Sequence, residues 1–311
     1  MTALICGSMA YDNIMVFRGR FKEHILPDQI HILNVAFLVP DLRREFGGCA
    51  GNIAYSLKLL GGEPLVMGTV GADAAPYLER FDALGLARDH VRVIPETFTA
   101  QAFITTDLDD NQITAFHPGA MNHSAENRID GTLGVGLAIV APDGREGMVG
   151  HVNELASSRI PFMFDPGQQL PAFSGVELLA MIDAAAYVAV NDYEGRLLVD
   201  KTGRGLEELA RMVDALVVTK GAAGSAIYAG GRVHEIPSVK PAAVIDPTGC
   251  GDAYRAGLLY GIAAGRDWPA TGRLASLMGS IKIAHRGGQN HRPGREEIAA
   301  QYRANFGSDM F

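Results

Sequence analysis

Short apolar runs alternate with amphipathic patterns along most of the chain. Six runs have the length and composition of buried strands: residues 3–8, 65–70, 136–140, 161–164, 186–190 and 216–219. Four segments carry apolar residues at helical spacing: residues 50–60, 74–84, 176–184 and 205–213. Later, residues 224–229 and 232–236 flank Gly230-Gly231 and predict an antiparallel hairpin. The alternation predicts an α/β fold, a doubly wound and mostly parallel sheet with helices on both faces.

Two segments interrupt this alternation, residues 12–46 and 97–118. Within the second, residues 102–106 and 112–116 alternate like hairpin strands on either side of Asp109-Asp110-Asn111. A small β-sheet appendage built from both insertions explains both interruptions. The prediction is therefore a single domain over residues 1–311 that carries this appendage.

Composition narrows the class of protein. The 311 residues are 48% hydrophobic and 20% charged, as in a packed globular protein. The net charge of -8 argues against a nucleic-acid partner, because phosphate contacts need a basic surface. No apolar run is long enough to span a membrane, and the N-terminus lacks the basic start of a signal peptide. The three scattered cysteines predict a reducing, cytoplasmic location.

The most informative motif is Asp246-Pro247-Thr248-Gly249-Cys250-Gly251-Asp252, which precedes an apolar helical pattern over residues 253–264. This order places Gly249, Cys250 and Gly251 at a helix N-terminus, where backbone N–H groups lack intrahelical partners. Such amides bind anions at the positive end of the helix dipole. We therefore predict an anion hole at these three residues.

Asp252 stands beside this anion hole. A carboxylate is a poor ligand for an anion, so another role is expected: accepting a proton from a hydroxyl group that attacks phosphorus. The alternative is an ordinary glycine-rich helix cap. Arg255 and Arg286 are the candidates for an arginine that contacts the transferred phosphate.

The motif at residues 246–252 resembles the D-T-x-G-A-G-D signature of the PfkB/ribokinase family of carbohydrate and nucleoside kinases. Pro247 and Cys250 depart from the usual form. The resemblance covers nearly the whole chain and implies a ribokinase-like fold, in which residues 12–46 and 97–118 form a β-sheet lid. It also implies ATP and Mg²⁺, and it allows a monovalent cation such as K⁺ near Asp246.

A second motif, residues 46–52, carries Gly47-Gly48 and Asn52 just before a predicted helix. The glycines let the backbone approach a ligand closely, and Asn52 offers both a donor and an acceptor. The motif resembles the G-G-x-x-x-N signature, whose Gly and Asn hold sugar hydroxyls, here Gly48 and Asn52. By the same resemblance Asp12, beyond the first strand, accepts two hydroxyls of a cis-diol.

Two further motifs point to the phosphate donor. Asn191 and Glu194 match the family's N-x-x-E motif and suit an indirect, water-mediated contact to Mg²⁺, although they also have the spacing of a helix capping box. Thr219, Gly221 and Gly224 resemble its T-x-G-x-x-G nucleotide segment. Together with Asn191, these three residues are the predicted nucleotide-binding set.

The segment 280–291 resembles the part of the family that lines the adenine of the donor, which assigns Asn290 to the nucleotide. Phe116, near the end of the second insertion, and Met121, just beyond it, suit contact with a flat base, with packing inside the lid as the alternative. Residues 116–121, 164–168 and 282–291 resemble the corresponding segments of bacterial adenosine-kinase-like members of the family. The acceptor is therefore expected to be a nucleoside.

The resulting hypothesis is a cytoplasmic, ATP- and Mg²⁺-dependent nucleoside kinase of purine salvage that phosphorylates the ribose 5′-hydroxyl. Adenosine is the first expectation, with inosine or guanosine also possible. The alternatives are a sugar kinase of the same family and a nucleoside-binding protein without catalysis. The expected partners are the nucleoside and ATP, with no nucleic acid and no membrane, in a monomer or homodimer.

Overall fold

The computed structural model describes residues 2–25, 34–109, 111–129 and 134–310. Within these ranges the strands are β1 (Thr2–Cys6), β2 (Ala10–Val16), β3 (Asp41–Gly47), β4 (Glu63–Gly71), β5 (Val91–Ile94), β6 (Ala100–Thr106), β7 (Gln112–His117), β8 (Leu137–Val140), β9 (Phe162–Phe164), β10 (Tyr187–Asn191), β11 (Ala215–Thr219), β12 (Ser225–Ala229) and β13 (Arg232–Ile236). The α-helices are α1 (Cys49–Leu59), α2 (Ala75–Leu84), α3 (Arg145–Ser157), α4 (Gly175–Ala184), α5 (Asp192–Thr202), α6 (Leu206–Ala210), α7 (Cys250–Ala263), α8 (Trp268–Ile283) and α9 (Arg295–Phe306).

The larger sheet has the strand order β13-β12-β11-β10-β9-β8-β1-β4-β5. From β11 to β5 all neighbouring strands are parallel, and the hairpin β12–β13 adds two antiparallel strands at one edge. The chain first winds outward from β1 through β4 to β5, and it then returns to β8 on the other side of β1. A crevice therefore opens between the carboxyl ends of β1 and β8, where doubly wound sheets bind ligands.

Helices cover both faces of this sheet. On one face alternate strand residues such as Ile5 and Val217 pack with α1, α2, α7 and α8. On the other face Leu4 and Leu216 pack with α3, α4, α5 and α6. Successive strand residues point to opposite faces, so a strand buried on both faces is apolar throughout. This explains the continuous apolar runs and confirms the predicted doubly wound α/β fold with a smaller sheet.

The smaller sheet has the order β3-β2-β6-β7 and comes from the two segments that interrupted the alternation. Strand β2 pairs with β3 antiparallel and with β6 in parallel. Residues 26–33 of the first predicted insertion, and Asp110 of the predicted turn, lie outside the described residues. The sheet stands at the carboxyl edge of the larger one, because only three residues separate the end of β1 from the start of β2.

Some elements differ from the sequence prediction. The helix expected over residues 205–213 is only α6, because the chain turns into β11 soon after Ala210. Helices α3 and α9 and strand β5 were not predicted, and only the capping-box start of α5 was, since polar residues hide the helical or strand pattern. In the part of the chain that the structure describes, no helix combines the length and apolarity needed to cross a membrane.

Candidate functional site

A tight turn leads into α7. The N–H of Cys250 donates to the carbonyl of Pro247 at 3.1 Å, and Gly249 between them has φ 76° and ψ 5°. This left-handed conformation is the one that a type II turn requires at its third residue. The structure thus differs from the prediction of three free donors, because the turn engages the amide of Cys250. Among the described residues the amides of Gly249 and Gly251 have no hydrogen-bond partner, so these two remain available to an anion.

Asp252 lies in the first turn of α7 and is half-buried. Its Oδ2 accepts a hydrogen bond from Nδ2 of Asn52 at 2.9 Å. Burial raises the pKa of Asp252 to about 7; the bond from Asn52 opposes this rise, and the nearby Asp165 carboxylate adds to it. A carboxyl group with a pKa near neutrality is suited to accept a proton at neutral pH.

A chain of hydrogen bonds holds Asn52. Nε2 of Gln289 donates to Oδ1 of Asn52 at 3.2 Å and to the hydroxyl of Tyr77 at 2.9 Å. That hydroxyl in turn donates to the carbonyl of Gly47 at 2.6 Å. Asn52 was predicted to hold a substrate hydroxyl, whereas here its amide is oriented toward Asp252. Sequence reasoning did not identify Gln289 or Tyr77, which lie far from the motifs they support.

Arg255 follows Asp252 by one helical turn and is buried. Its Nε and Nη2 donate to the two carboxylate oxygens of Asp165 at 3.0 and 3.2 Å. Asp165 directly follows β9, so the pair joins α7 to the carboxyl edge of the large sheet. The third guanidinium nitrogen, Nη1, lies 3.7 Å from the position that a Cβ on Gly251 would occupy. Positive charge therefore lies beside the helix N-terminus, whereas Arg286 is exposed.

Two clefts meet at this helix N-terminus. The first, of about 420 Å³, is lined by Cys49, Pro142, Asp165, Gly167, Gln168, Asn191, Asp192, Tyr193, Glu194, Thr219, Gly221, Gly251, Asp252 and Arg255. The second, of about 510 Å³, is lined by Thr219, Gly221, Ala222, Gly224, Ser238, Val239, Lys240, Pro241, Val244, Cys250, Gly251, Tyr254, Ser276, Gly279, Ser280 and Ile283. Of these, Thr219, Gly221 and Gly251 line both clefts, which form one continuous depression. Its largely apolar second part suits a flat ring, and its polar first part suits phosphates.

The predicted nucleotide residues fall in these clefts with one exception. Thr219, Gly221 and Gly224 line the apolar cleft, and Asn191 lines the polar one. Asn290 lines neither: its Nδ2 donates to Glu45 of β3 at 2.7 Å. The structure therefore joins Asn290 to the small sheet rather than to the nucleotide residues.

Asn191 and Glu194 form a capping box at the start of α5. The N–H of Glu194 donates to Oδ1 of Asn191 at 2.8 Å, and the N–H of Asn191 donates to Oε2 of Glu194 at 2.7 Å. Glu194 also lines the polar cleft. Within the described ranges no three His, Cys, Asp or Glu side chains cluster as a metal cage. This donor set fits a magnesium ion that keeps its water ligands and is carried by phosphates.

Asp12 lies on the small sheet. It pairs with Glu45 on β3 and with Ala102 on β6, and Ala102 pairs with Phe116 on β7. Paired residues on adjacent strands share a face, so Asp12 and Phe116 lie on one face at about 10 Å, two strand spacings apart. Phe116 is 52% exposed, which leaves its ring free to contact a ligand.

The carboxyl group of Asp12 has a raised pKa. Burial raises its pKa to about 6, and the carboxylates of Asp246 and Glu45 add to this rise. A Cβ on Gly47 would lie 2.4 Å from Oδ2 of Asp12. Gly47 therefore makes room for this carboxyl group, whereas the paired glycines were expected to let the backbone approach a ligand.

Gly48 and Met121 lie where the small sheet joins the large one. Gly48 caps α1 with φ 84°, and a Cβ there would lie 2.5 Å from the carbonyl oxygen of Ser8. Met121 is buried and packs with Ala10 and Ala100 at the foot of the small sheet. In this structure Gly48 shapes the junction, and Met121 occupies the packing position that was the alternative to contact with a base.

The chain is similar to known kinases over most of its length. The model of the pfkB family carbohydrate kinases matches residues 9–295. A nucleoside kinase from Burkholderia thailandensis in complex with inosine has a TM-score of 0.90 and 58% identity, with 99% of both chains covered. A structure of that kinase with ADP and inosine gives 0.88 and 60%, covering 99% of this chain and 97% of the other.

A nucleoside kinase from Methanocaldococcus jannaschii is 32% identical over 271 residues, which cover 85% of this chain and 88% of the relative.

Proposed function

The chain belongs to the pfkB family of carbohydrate kinases, and from this premise we propose that it transfers the γ-phosphoryl group of ATP to the ribose 5′-hydroxyl of a purine nucleoside. That it is a phosphotransferase acting on a hydroxyl group follows from the family and from nucleoside kinases that match most of its length. The purine base, the magnesium ion and the assignment of residues are the proposal.

One observation carries the proposal: Asp252 lies at the helix N-terminus where the two clefts meet, and its pKa is raised to about 7. Oδ2 accepts a hydrogen bond from Asn52, which orients the carboxylate that takes the proton of the attacking hydroxyl. The hydroxyl oxygen then forms its bond to the γ-phosphorus as the bond from phosphorus to the bridging oxygen breaks, and ADP leaves.

The charge of the transferred phosphoryl group needs stabilisation during this step. Gly251 and Arg255 line the cleft that Asp252 lines, with the guanidinium Nη1 of Arg255 beside Gly251, and the amide of Gly249 lies at the same helix N-terminus. Donors fixed before the reaction stabilise developing charge without reorganisation. Glu194 and Asn191 would hold a phosphate-bound magnesium ion through its water ligands, and the ion would supply further neutralising charge.

The small sheet supplies the binding residues for the nucleoside that accepts the phosphoryl group. Asp12 is suited to accept hydrogen bonds from the 2′- and 3′-hydroxyls of a ribose, because one carboxylate takes two donors at once. Phe116 lies on the same face at a distance that a nucleoside can bridge, which favours a base over a simple sugar. The relative from Burkholderia thailandensis binds inosine, so inosine and adenosine are the first purines to compare.

The test is to incubate the protein with ATP, Mg²⁺ and single acceptors, and to measure ADP formation. The panel contains inosine, adenosine, guanosine, uridine, ribose and fructose 6-phosphate. We expect turnover with purine nucleosides, a ³¹P–¹H coupling in the product that locates phosphate at the 5′ carbon, and no transfer to 5′-deoxyinosine. Faster turnover with ribose than with every nucleoside would favour the sugar kinase, and binding without ADP formation would favour a sensor.

A further inference from the structure

Lys282 is a fully buried lysine in the last turn of α8. Its ammonium group donates to the carbonyl of Asp246 at 2.8 Å and to the carbonyl of His285 at 2.9 Å. A buried ammonium is costly unless it is well paired. Burial lowers the pKa of Lys282, and the nearby Asp246 and Asp252 carboxylates oppose the shift.

The two carbonyls belong to two loops that together support the start of α7. Asp246 opens the turn that ends in Gly249, and its carboxylate accepts from the N–H groups of Thr248 at 2.9 Å and Gly287 at 2.8 Å. His285 lies in the loop that follows α8, and this loop touches the turn at Gly288. Lys282 thus ties together the loops that hold the Gly249 and Gly251 amides in place.

This arrangement bears on the monovalent cation that the family resemblance allowed near Asp246. Such an ion binds through backbone carbonyl oxygens. Here the carbonyl of Asp246 already accepts from a protein ammonium, and so does the carbonyl of His285 on the neighbouring loop. An ammonium and a potassium ion carry the same charge, so both cannot share these oxygens without strong repulsion. The residues present therefore do not fit a free cation.

We propose that the ammonium of Lys282 takes the place of a monovalent cation: it positions the two loops that shape the anion hole, and phosphoryl transfer needs no added K⁺. This inference rests on the proposed function for its kinetic consequence. Lys282 acts through the backbone and touches neither substrate, so it is a positioning residue.

The experiment compares wild type with Lys282→Ala and Lys282→Met in chloride salts of K⁺, NH₄⁺, Na⁺ and tetramethylammonium at one ionic strength. It measures kcat, KM for ATP, ADP affinity by calorimetry and Tm without ligands. Lys282→Ala leaves space and two free carbonyls for an ion, whereas the methionine of Lys282→Met fills the same space without charge. Affinity for the nucleoside reports whether each variant is folded.

Wild type should show the same kcat in all four salts, within about twofold. Both variants should lose about 10–100-fold in kcat in tetramethylammonium. This range is expected when the loss of a supporting residue lets catalytic groups shift from their positions. K⁺ or NH₄⁺ should restore Lys282→Ala, together with its ADP affinity and Tm, and should leave Lys282→Met unchanged.

Several results would overturn the proposal. One is severalfold activation of wild type by K⁺, which needs no variant and decides the matter even if Lys282→Ala does not fold. Another is a folded Lys282→Ala that responds to none of the salts, which would make Lys282 a packing residue. If wild type phosphorylates no nucleoside, the proposed function fails, while the salt dependence of ADP affinity and Tm still tests the role of Lys282.

Discussion

Replacing Asp252 by asparagine tests the proposed base with little change of shape. The amide can still accept the hydrogen bond from Asn52, which holds the wild-type side chain at 2.9 Å. It cannot take a proton from the attacking hydroxyl. Because a positioned general base contributes about 10²–10⁴-fold, we expect Asp252→Asn to lose that factor in kcat. Affinity for the nucleoside should change little.

The raised pKa of Asp252 adds a pH dependence. With a pKa of about 7, roughly one-tenth of the carboxyl groups are ionised at pH 6 and roughly nine-tenths at pH 8. Wild-type kcat/KM should therefore rise about tenfold between these values. Asp252→Asn removes this titrating group, so its residual activity should lack the tenfold rise, whereas Asp12, with a pKa of about 6, titrates in both proteins.

The assay couples ADP release to absorbance and follows initial rates with inosine from pH 5.5 to 8.5. Asp200→Asn is the matched control, because Asp200 is exposed on α5, which covers the opposite face of the large sheet from α7, and its rate and profile should equal those of wild type. Activity of Asp252→Asn within about threefold of wild type at pH 8 would refute the assignment. A wild-type rate independent of pH across this range would refute the raised pKa.

The same substitution should affect stability in the opposite direction. The folded state holds the proton of Asp252 up to about pH 7, whereas the unfolded chain loses it near pH 3.9. The carboxyl group therefore stabilises the fold at low pH, and that contribution is lost as the pH rises through about 7. Above that pH Asp252→Asn should be the more stable protein, by at most about 4 kcal/mol at 1.36 kcal/mol per pKa unit. Thermal melts at pH 5 and 8 measure the difference.

Three other predictions concern the acceptor side, the turn and the small sheet. Asp12→Ala should raise the KM for the nucleoside about tenfold, as expected for a lost buried hydrogen bond of roughly 1–3 kcal/mol, with little change in the KM for ATP. Equal discrimination against the 2′-deoxy substrate by this variant and wild type would contradict diol recognition by Asp12. Gly249→Ala should weaken ADP binding and lower stability by about 1–3 kcal/mol, because φ is 76° there; a calorimetric titration and a denaturant melt measure both effects. Hydrogen exchange should slow in residues 12–46 and 97–118 when nucleoside binds, if the small sheet closes as a lid. Unchanged exchange in both segments would make the sheet a structural element instead.

The sequence was informative about the fold wherever burial is uniform. Strands such as β8 and β11 are buried on both faces, so their apolar runs stand out from the polar turns around them. Helix α9 was missed because only Ile298 and Tyr302 are buried along it, which leaves too weak an apolar stripe to recognise. Helix α3 contains two glycines and many polar residues, and they obscure its buried face in the same way.

Site residues that are close together in the sequence could be predicted, whereas those that are far apart could not. The turn at Gly249 and the carboxylate of Asp252 are close in sequence, so the chemistry of one helix start reveals them together. The partners that tune Asp252 are remote: Asn52 lies 200 residues away, and Gln289 lies 237 residues from Asn52. No local pattern encodes such pairings. They follow only once the doubly wound sheet brings the carboxyl ends of its strands to one edge.

The two halves of the active region come from separate stretches of the gene. The apolar cleft takes its lining from residues 219–283, whereas the face that carries Asp12 and Phe116 is complete by β7. Asn52 and Asp252 connect the halves through a hydrogen bond between side chains, and Asn290 donates a second one to Glu45. Substitutions encoded in the first third of the gene can therefore change which acceptor is bound. Selection on the residues that bind the donor can act separately. A duplicated gene could therefore acquire specificity for a new acceptor while it keeps the residues that bind the phosphate donor.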